Sequence, residues 1–408
     1  MSDARPAGPF GRARTASRAG MPGLAAAVLL GLITSAAAEP YLPEHDDVVL
    51  ERLPAADDPR VREARRLARA LDRQSPDPEA ALEVARRYVD LGRSEADPRF
   101  FGLAEGVLAP WLDAPDPPPA IRLERAALRR ARHDFDGALA DLDAILEVRP
   151  KDVQAHLDRA ALLEALGDYA AAEQACIRVL RLYPGLVAVA CLTSARSLAG
   201  LAQPSYDALA AAAAAAPADD PTRSWALTIL GEIATRLGDM ASAERHFREA
   251  LGSGARDVYL LGAYADLLLD QDRAGDALDL LEGEERADGL LLRRTIAAHR
   301  LDDPRLAAWR DAIRGRFAAL RQRGAATHLR DEARFALEVE DQPKRALELA
   351  SRNWALQKGP ADASVLLQAA LAAGAPEAAA PVLAWLADKR TEDVVLERLR
   401  RALDGVSS

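Results

Sequence analysis

The feature that most constrains this chain is its likeness to itself at an interval of 34 residues. The stretch HDFDGALADLDAILEVRP, ending at Pro150, and the stretch GDYAAAEQACIRVLRLYP, ending at Pro184, superpose without a gap. Each is a turn, an amphipathic segment and a terminating proline. Ala138, Leu142, Ile145 and Leu146 form an apolar stripe in the first, and Ala172, Ala175, Cys176, Val179 and Leu180 form one in the second. Such steps of three, four, seven and eight place residues on one face of an α-helix. The stripe returns at Ala243, Phe247, Ala250 and Leu251, at Ala277, Leu280 and Leu281, at Ala346, Leu349, Ala350 and Trp354, and at Ala379, Val382, Leu383 and Leu386. Ser205 opens a weaker copy, and an irregular copy around Ala307, on a long helix from about Pro304 to Arg323, fills the gap between 277 and 346. Self-similarity at this period means a stacked array in which each unit buries its apolar face on its neighbours.

A turn carrying Gly or Asp precedes each stripe, as at Gly167-Asp168-Tyr169, Gly200, Gly238-Asp239 and Gly374. Glycine there tolerates the left-handed backbone that ends a first helix, and the small residue that follows lets two helices approach closely. The unit is therefore a pair of antiparallel helices. In this it resembles the tetratricopeptide repeat, best in Ala160, Leu166, Gly167, Asp168, Tyr169, Ala172 and Pro184, and in Leu230, Gly231, Leu237, Gly238, Asp239, Ala243, Phe247 and Ala250. The bulky aromatic usual early in the family's first helix is largely missing, and Arg159 and Arg196 fall near positions the family keeps apolar. The resemblance implies an all-α, right-handed superhelical solenoid of seven to eight helix pairs. The array is expected over residues 119–386, irregular at 288–343, with divergent helices over 59–118 and a capping helix and tail over 387–408. Thr391, Glu392 and Asp393 make a helix start for that cap, and a helix over Val61 to Leu71 closes the other end.

The N-terminus reads as an export signal. Arg5, Arg12, Arg14 and Arg18 precede an apolar stretch from Gly23 to Ile33, and Ala36, Ala37 and Ala38 form a small-residue cleavage site, so residues 1–38 are expected to be removed between Ala38 and Glu39. The apolar stretch is shorter than the ~20 residues a membrane span needs, so stable membrane insertion is not expected after removal. The expected compartment is the bacterial periplasm. Residues 39–58, rich in Pro and Asp, read as an extended arm; Glu44, His45, Asp46 and Asp47 within it make a charged segment rather than a cation site. The formal charge of −10 becomes more acidic once the leader's arginines are gone, which argues against nucleic acid as a partner.

Motifs for catalysis are missing from the sequence: there is no GxSxG turn, HExxH, Gly-rich phosphate loop, CxxC or CxxCH. The histidines at 45, 133, 156, 246, 299 and 328 share no helix face at ligand spacing, so neither a metal nor another cofactor is expected. Cys176 and Cys191 flank Pro184 at nearly equal distance, which brings them level across two antiparallel helices. In an oxidising compartment that favours a disulfide. Charge alternates along the chain: Asp257 to Asp288 holds ten acids against Arg273 and Arg286, and Arg293 to Arg345 holds thirteen basic residues against eight acids. Internal ion pairing and solvated outer faces account for this most simply.

What remains is binding. Stacked helix pairs present an extended concave surface, and tetratricopeptide proteins hold partners on the inner face lined by first helices. The resemblance places Gln154, Glu164, Glu232, Thr235, Asp266 and Asp270 there. The expected function is a non-enzymatic scaffold or assembly factor of the cell envelope, with another envelope protein or peptide as partner and Glu232, Asp266 and Asp270 as an acidic strip. Arg293, Arg294 and Arg300 are the residues that could neutralise that strip from within. A polysaccharide- or peptidoglycan-handling subunit is the alternative, for which Trp225 and Tyr259 are the groove aromatics. An acid pair Asp266/Asp270 serving a hydrolase lacks a partner base.

Overall fold

Aspartate starts nine of the twenty helices among the described residues. The computed structural model describes residues 58–406, apart from 73–76, 96, 254–256 and 323–327, together with the single residue His45. Asp58, Asp77, Asp97, Asp134, Asp152, Asp168, Asp239 and Asp257 each accept a first-turn backbone N–H at a helix start. Asp393 does the same for the last helix. Each cap contributes about 1 kcal/mol by satisfying a donor the helix itself leaves unpaired. Several follow the pattern Asp-Pro, with proline in the first helical position where its missing N–H costs nothing. Much of the acidic charge is thus spent on local structure.

The chain forms twenty α-helices, with no strand among the described residues. A lone helix α1 (Pro59–Ala70) packs on the pair α2 (Pro78–Ser94) and α3 (Pro98–Leu112). Eight pairs follow: α4 (Pro119–Ala131) with α5 (Phe135–Val148), α6 (Val153–Ala165) with α7 (Tyr169–Leu182), α8 (Leu186–Leu198) with α9 (Ala202–Ala215), α10 (Arg223–Leu237) with α11 (Met240–Gly252), α12 (Val258–Asp270) with α13 (Ala274–Leu280), α14 (Asp288–Arg300) with α15 (Leu306–Gln322), α16 (Leu329–Glu338) with α17 (Pro343–Leu356), and α18 (Pro360–Ala372) with α19 (Ala380–Lys389), the last preceded by one 3-10 turn. Helix α20 (Val394–Val406) ends the chain. The expected terminal helix starts at Pro59 rather than Val61, because Asp58 caps it. The leader and the arm fall outside the described residues, His45 and Asp58 excepted.

In all eight pairs the residue that turns the chain from first to second helix has positive φ. It is Gly167, Gly200, Gly238 and Gly374 in four of them, and His133, Asp272, Asp302 and Asp341 in the others. This residue fixes the register of the whole array. Every even-numbered helix from α2 to α18 packs on the next even-numbered one, so the first helices form a continuous inner layer and the second helices lie outside. The apolar stripes read from the sequence are the faces joining the layers: Ala138, Ala172, Ala243, Ala277, Ala346 and Ala379 are fully buried.

The array does not stay open. The loop before α18 sends the Lys358 N–H to the carbonyl of Ala165, the last residue of α6, at 2.8 Å. Thr391 Oγ1 donates to the last carbonyl of α8, Leu198, at 3.1 Å, and Glu392 Oε2 accepts the first N–H of α9, from Ala202, at 2.7 Å. These are the groups that helix ends leave without partners, here satisfied from nearly 200 residues away. Tyr169 joins the C-terminal core, edge-on to Trp385 with ring centroids 6.1 Å apart. Helix α20 packs on α18 and also reaches α10. The last pairs therefore close onto the second, third and fourth, which the sequence reading of an open groove did not anticipate.

Glycine makes this approach possible. A Cβ on Gly200 would stand 3.0 Å from the Arg390 carbonyl oxygen, and one on Gly167 would stand 3.1 Å from the Lys358 Cβ. Farther round, the disulfide expected from the sequence is present: Cys176 of α7 and Cys191 of α8 are bonded, with Cα atoms 5.5 Å apart, beside Ala160 and Ala175.

Two outcomes follow for stability. Gly200→Ala meets both an unfavourable φ of +79 and the Arg390 backbone, whereas Gly374→Ala meets only a φ of +64 in open space. Both lose about 1–3 kcal/mol for the left-handed backbone, but in urea unfolding Gly200→Ala loses more, and only it enlarges the radius of gyration in small-angle scattering. Reducing the disulfide lowers stability by about 3 kcal/mol, the value for a loop of about 15 residues; peptide mapping without reductant recovers the crosslinked fragment, and two free thiols would contradict it.

Candidate functional site

Closure turns the inner face into a chamber of about 1050 Å³, walled by first helices and by the loop between α17 and α18. Several lining residues stand three or six places before a left-handed turn: Arg130 three before His133, Glu164 and Ala161 three and six before Gly167, Ser194 six before Gly200, and Glu232 six before Gly238. Positions three apart share a helix face, so the turn residue sets which side chains line the wall.

The wall is bipolar. On one side lie Glu164 of α6, Glu232 of α10 and Tyr259 of α12. Ser194 Oγ donates to Glu164 Oε2 at 3.0 Å, and Tyr259 donates to Glu232 Oε1 at 2.5 Å. Burial pushes the Glu164 carboxyl up to about 7; the Ser194 hydrogen bond opposes this, and the charge of Glu232 adds to it. Burial likewise raises Glu232. The Glu232 charge, then burial, hold the Tyr259 hydroxyl far above the ordinary phenol range, so it stays a donor. Tyr259 is 63% exposed and Trp225 41%, and both line this half-open space.

On the other side stand Arg93 and Arg130, which meet no carboxylate within ion-pairing distance among the described residues, with His133 beside them. Burial lowers the Arg130 guanidinium, and Arg93 adds to the effect. Burial also lowers the His133 ring, followed by the charges of His328 and Arg330. Between the two sides, Asp362 accepts from Asn353 at 2.8 Å and from Gln357 at 3.1 Å and pairs with Arg330 at 3.5 Å. Burial disfavours the charged His328 ring, but Asp331, 3.9 Å away, outweighs it and raises the group. Tyr169, only 1% exposed, lines the same chamber, and its hydroxyl has no hydrogen-bond partner.

The six residues expected on the inner face divide. Glu164 and Glu232 line the chamber. Thr235 is on the same helix as Glu232, but its hydroxyl donates to the Gly231 carbonyl of its own helix at 2.8 Å. Gln154 is exposed in the first turn of α6, at the far end from Glu164. Asp266 is engaged by Arg293 at 2.5 Å and by Arg334 at 2.8 Å. Burial works against its charge, yet the two guanidiniums prevail and lower it. Asp270 reaches water at the end of α12 and is pushed up to about 6 by burial and then by Asp266.

The acidic strip is therefore met from within at Asp266, by Arg293 as foreseen and by Arg334, which was not. The opposite-charge segments interlock through Arg294–Glu285 and Arg316–Asp288 as well. Sequence reasoning missed Arg93, Arg130, Tyr169, His133 and Asp362 as chamber residues. Counting back from His133 as a turn residue would have found Arg130, and closure is what brings Asp362 and Tyr169 to the same chamber. No described group of three or more His, Cys, Asp or Glu could hold a metal ion, and no described helix is long and apolar enough to cross a membrane.

No family model and no curated protein matches the sequence. Solved structures do. PilW, a widely conserved type IV pilus biogenesis factor, is 18% identical across 49% of this chain and 94% of its own, with a TM-score of 0.39. The Cut9-Hcn1 hetero-tetramer of the APC/C gives 13% identity, 84% and 66% coverage and a TM-score of 0.49. A tetratricopeptide repeat protein from Parabacteroides merdae gives 14%, 71% and 98%, and 0.36. Eight antiparallel helix pairs with inner and outer layers, each turned by one left-handed residue, make this chain a tetratricopeptide-like α-solenoid.

Proposed function

We propose that this protein is a non-enzymatic binding scaffold of the bacterial envelope, exported to the periplasm, which holds a segment of a partner protein in its chamber. The observation that carries this reading is the inner wall itself. Charged side chains without ion-pair partners and two water-accessible aromatics are gathered on one concave, half-open surface that a bound segment would cover. The groups present suit recognition: carboxylates, guanidiniums and rings on rigid helices. Residues 1–38 support export, and the Cys176–Cys191 bond fits an oxidising compartment. Of the residues expected from the sequence, Glu164 and Glu232 are the contacts we assign; Thr235, Gln154, Asp266 and Asp270 lie around them as secondary candidates.

A glycan is the second reading, favoured by Trp225 and Tyr259, whose rings offer stacking surfaces in the chamber. Blocking the chamber tests the common premise. Ala161 is exposed on its wall, so Ala161→Trp fills space without disturbing the core, and Ala214→Trp on α9 is the control. Affinity capture from envelope extract is expected to fail with the first and survive with the second, and the captured molecule, protein or glycan, separates the two readings. Capture that survives both substitutions places the partner elsewhere.

Glu164 also gives a pH signature. Its carboxyl rises from 4.5 to about 7 on folding, so the stability it contributes is present below 4.5 and lost as pH rises through 7. Asp270, raised to about 6, acts with the same sign. Between pH 5 and 8 the melting temperature of Glu164→Gln is expected to gain on the native protein; parallel curves would mean that Glu164 titrates normally.

A further inference from the structure

We propose that Glu164, Glu232 and the Tyr169 hydroxyl form a receptor for one primary ammonium group presented by the bound segment, an inference that rests on the chamber being the binding site. The argument begins with a comparison inside the molecule. Asp266 and Glu232 occupy the same place, six residues before the left-handed turns at Asp272 and Gly238. Asp266 is met by two guanidiniums, from Arg293 and Arg334. Glu232 meets none within ion-pairing distance among the described residues; its partner is the neutral hydroxyl of Tyr259. Arg236, one turn along the same helix, donates to Ser197 Oγ at 2.6 Å instead. Glu164, on the same side of the chamber, likewise has only the Ser194 hydroxyl as hydrogen-bond partner.

Two carboxylates facing one enclosed space repel each other and lose hydration, and burial has raised both. At Asp266 the chain supplies two paired cations; at Glu164 and Glu232 it supplies hydroxyls and only the more distant charge of Arg236, which leaves both carboxyls raised and without an ion pair. Tyr169 gives the independent sign. Its ring is fixed against Trp385, the residue lines the chamber, and its hydroxyl is buried there without a hydrogen-bond partner. Its hydroxyl is a vacant acceptor near Glu164, whose charge raises the Tyr169 group after burial does.

Three acceptors of this kind match an ammonium, a compact charge with three rotatable donors. A guanidinium, planar and forked, suits a single carboxylate, as Arg293 on Asp266 illustrates. Trp225 and Tyr259 add aromatic faces to the same wall, favourable to a cation. A lysine side chain and a free peptide N-terminus both supply this group, and the test separates them.

Calorimetric titration of the exported, disulfide-bonded protein with four short alanine peptides decides the matter: one with a free N-terminus, one acetylated and carrying lysine, one acetylated and carrying arginine, and one acetylated throughout with no cation. One of the two amine-bearing peptides is expected to bind at least about tenfold more tightly than the uncharged one, the scale of a charge-assisted contact, and which of them does so names the source. Glu164→Gln and Glu232→Gln each weaken it about tenfold, and Tyr169→Phe by less, with folding intact since all three substitutions keep shape. Equal binding of the uncharged or arginine peptide, no saturation by either amine, or full affinity in both Gln variants overturns the receptor. Ala161→Trp still abolishing capture from envelope extract in that event would leave the chamber as the partner site and reject only its ligand class.

Discussion

Everything in this molecule follows from how closely its backbone can approach itself at the turn between the two helices of a pair. In an ordinary stack that turn faces solvent and its glycine serves only the local left-handed bend. Here three consecutive turns, at Gly167, Gly200 and Gly238, lie under the segment running from Lys358 through Trp385 and Arg390 to Val394. With no side chain on the glycines in the way, the Lys358 main chain and the side chains of Thr391 and Glu392 reach main-chain groups of the earlier helices. The contact deepens a curved wall into a half-open chamber, in which the carboxyls of Glu164 and Glu232 are raised by burial.

The electrostatics sort by the same geometry. Where the array is covered by its own neighbours, charge is balanced internally: Asp266 between Arg293 and Arg334, Glu332 between Arg321 and Arg345, and Asp141 between Arg125 and Arg129. Such pairs fix how successive units sit more than they stabilise the fold, since desolvation offsets most of the attraction. Where the wall faces the chamber the balance is incomplete, with carboxyls on α6 and α10 and guanidiniums on α2 and α4 held apart by the cavity.

The periodic parts of this structure were legible in the chain and the closing parts were not. The helix pairs, the buried stripe opened by Ala138 and its successors, the left-handed turns at the four glycines and the partnership of Cys176 with Cys191 all have local signatures, because each depends on residues within one or two units. His133, Asp272, Asp302 and Asp341 make the same turn without a glycine and were not read as such. Closure depends on the Lys358 N–H and the Thr391 and Glu392 side chains meeting main-chain groups at helix ends nearly 200 residues earlier, and such acceptors and donors exist at every helix end, so no local pattern announces which ones are met. For the site this meant that Glu164 and Glu232 were placed with the inner face, while Tyr169 looked like one more repeat residue and Asp266 like part of an open strip.

A stack of repeats with two free ends behaves as a one-dimensional chain, fraying from either terminus while the middle holds. Once the last pairs are bonded to the second, third and fourth, those units have no free end from which to begin. Loosening α18 uncovers the α6 carbonyl and the ring of Tyr169, and loosening α8 strips Thr391 of its acceptor. Distant segments thus share one fate, and the enclosed part of the array acquires the all-or-none character of a globular domain despite its modular sequence. Only α1 to α5, outside the closing contacts, keep the independence that a solenoid normally gives every unit.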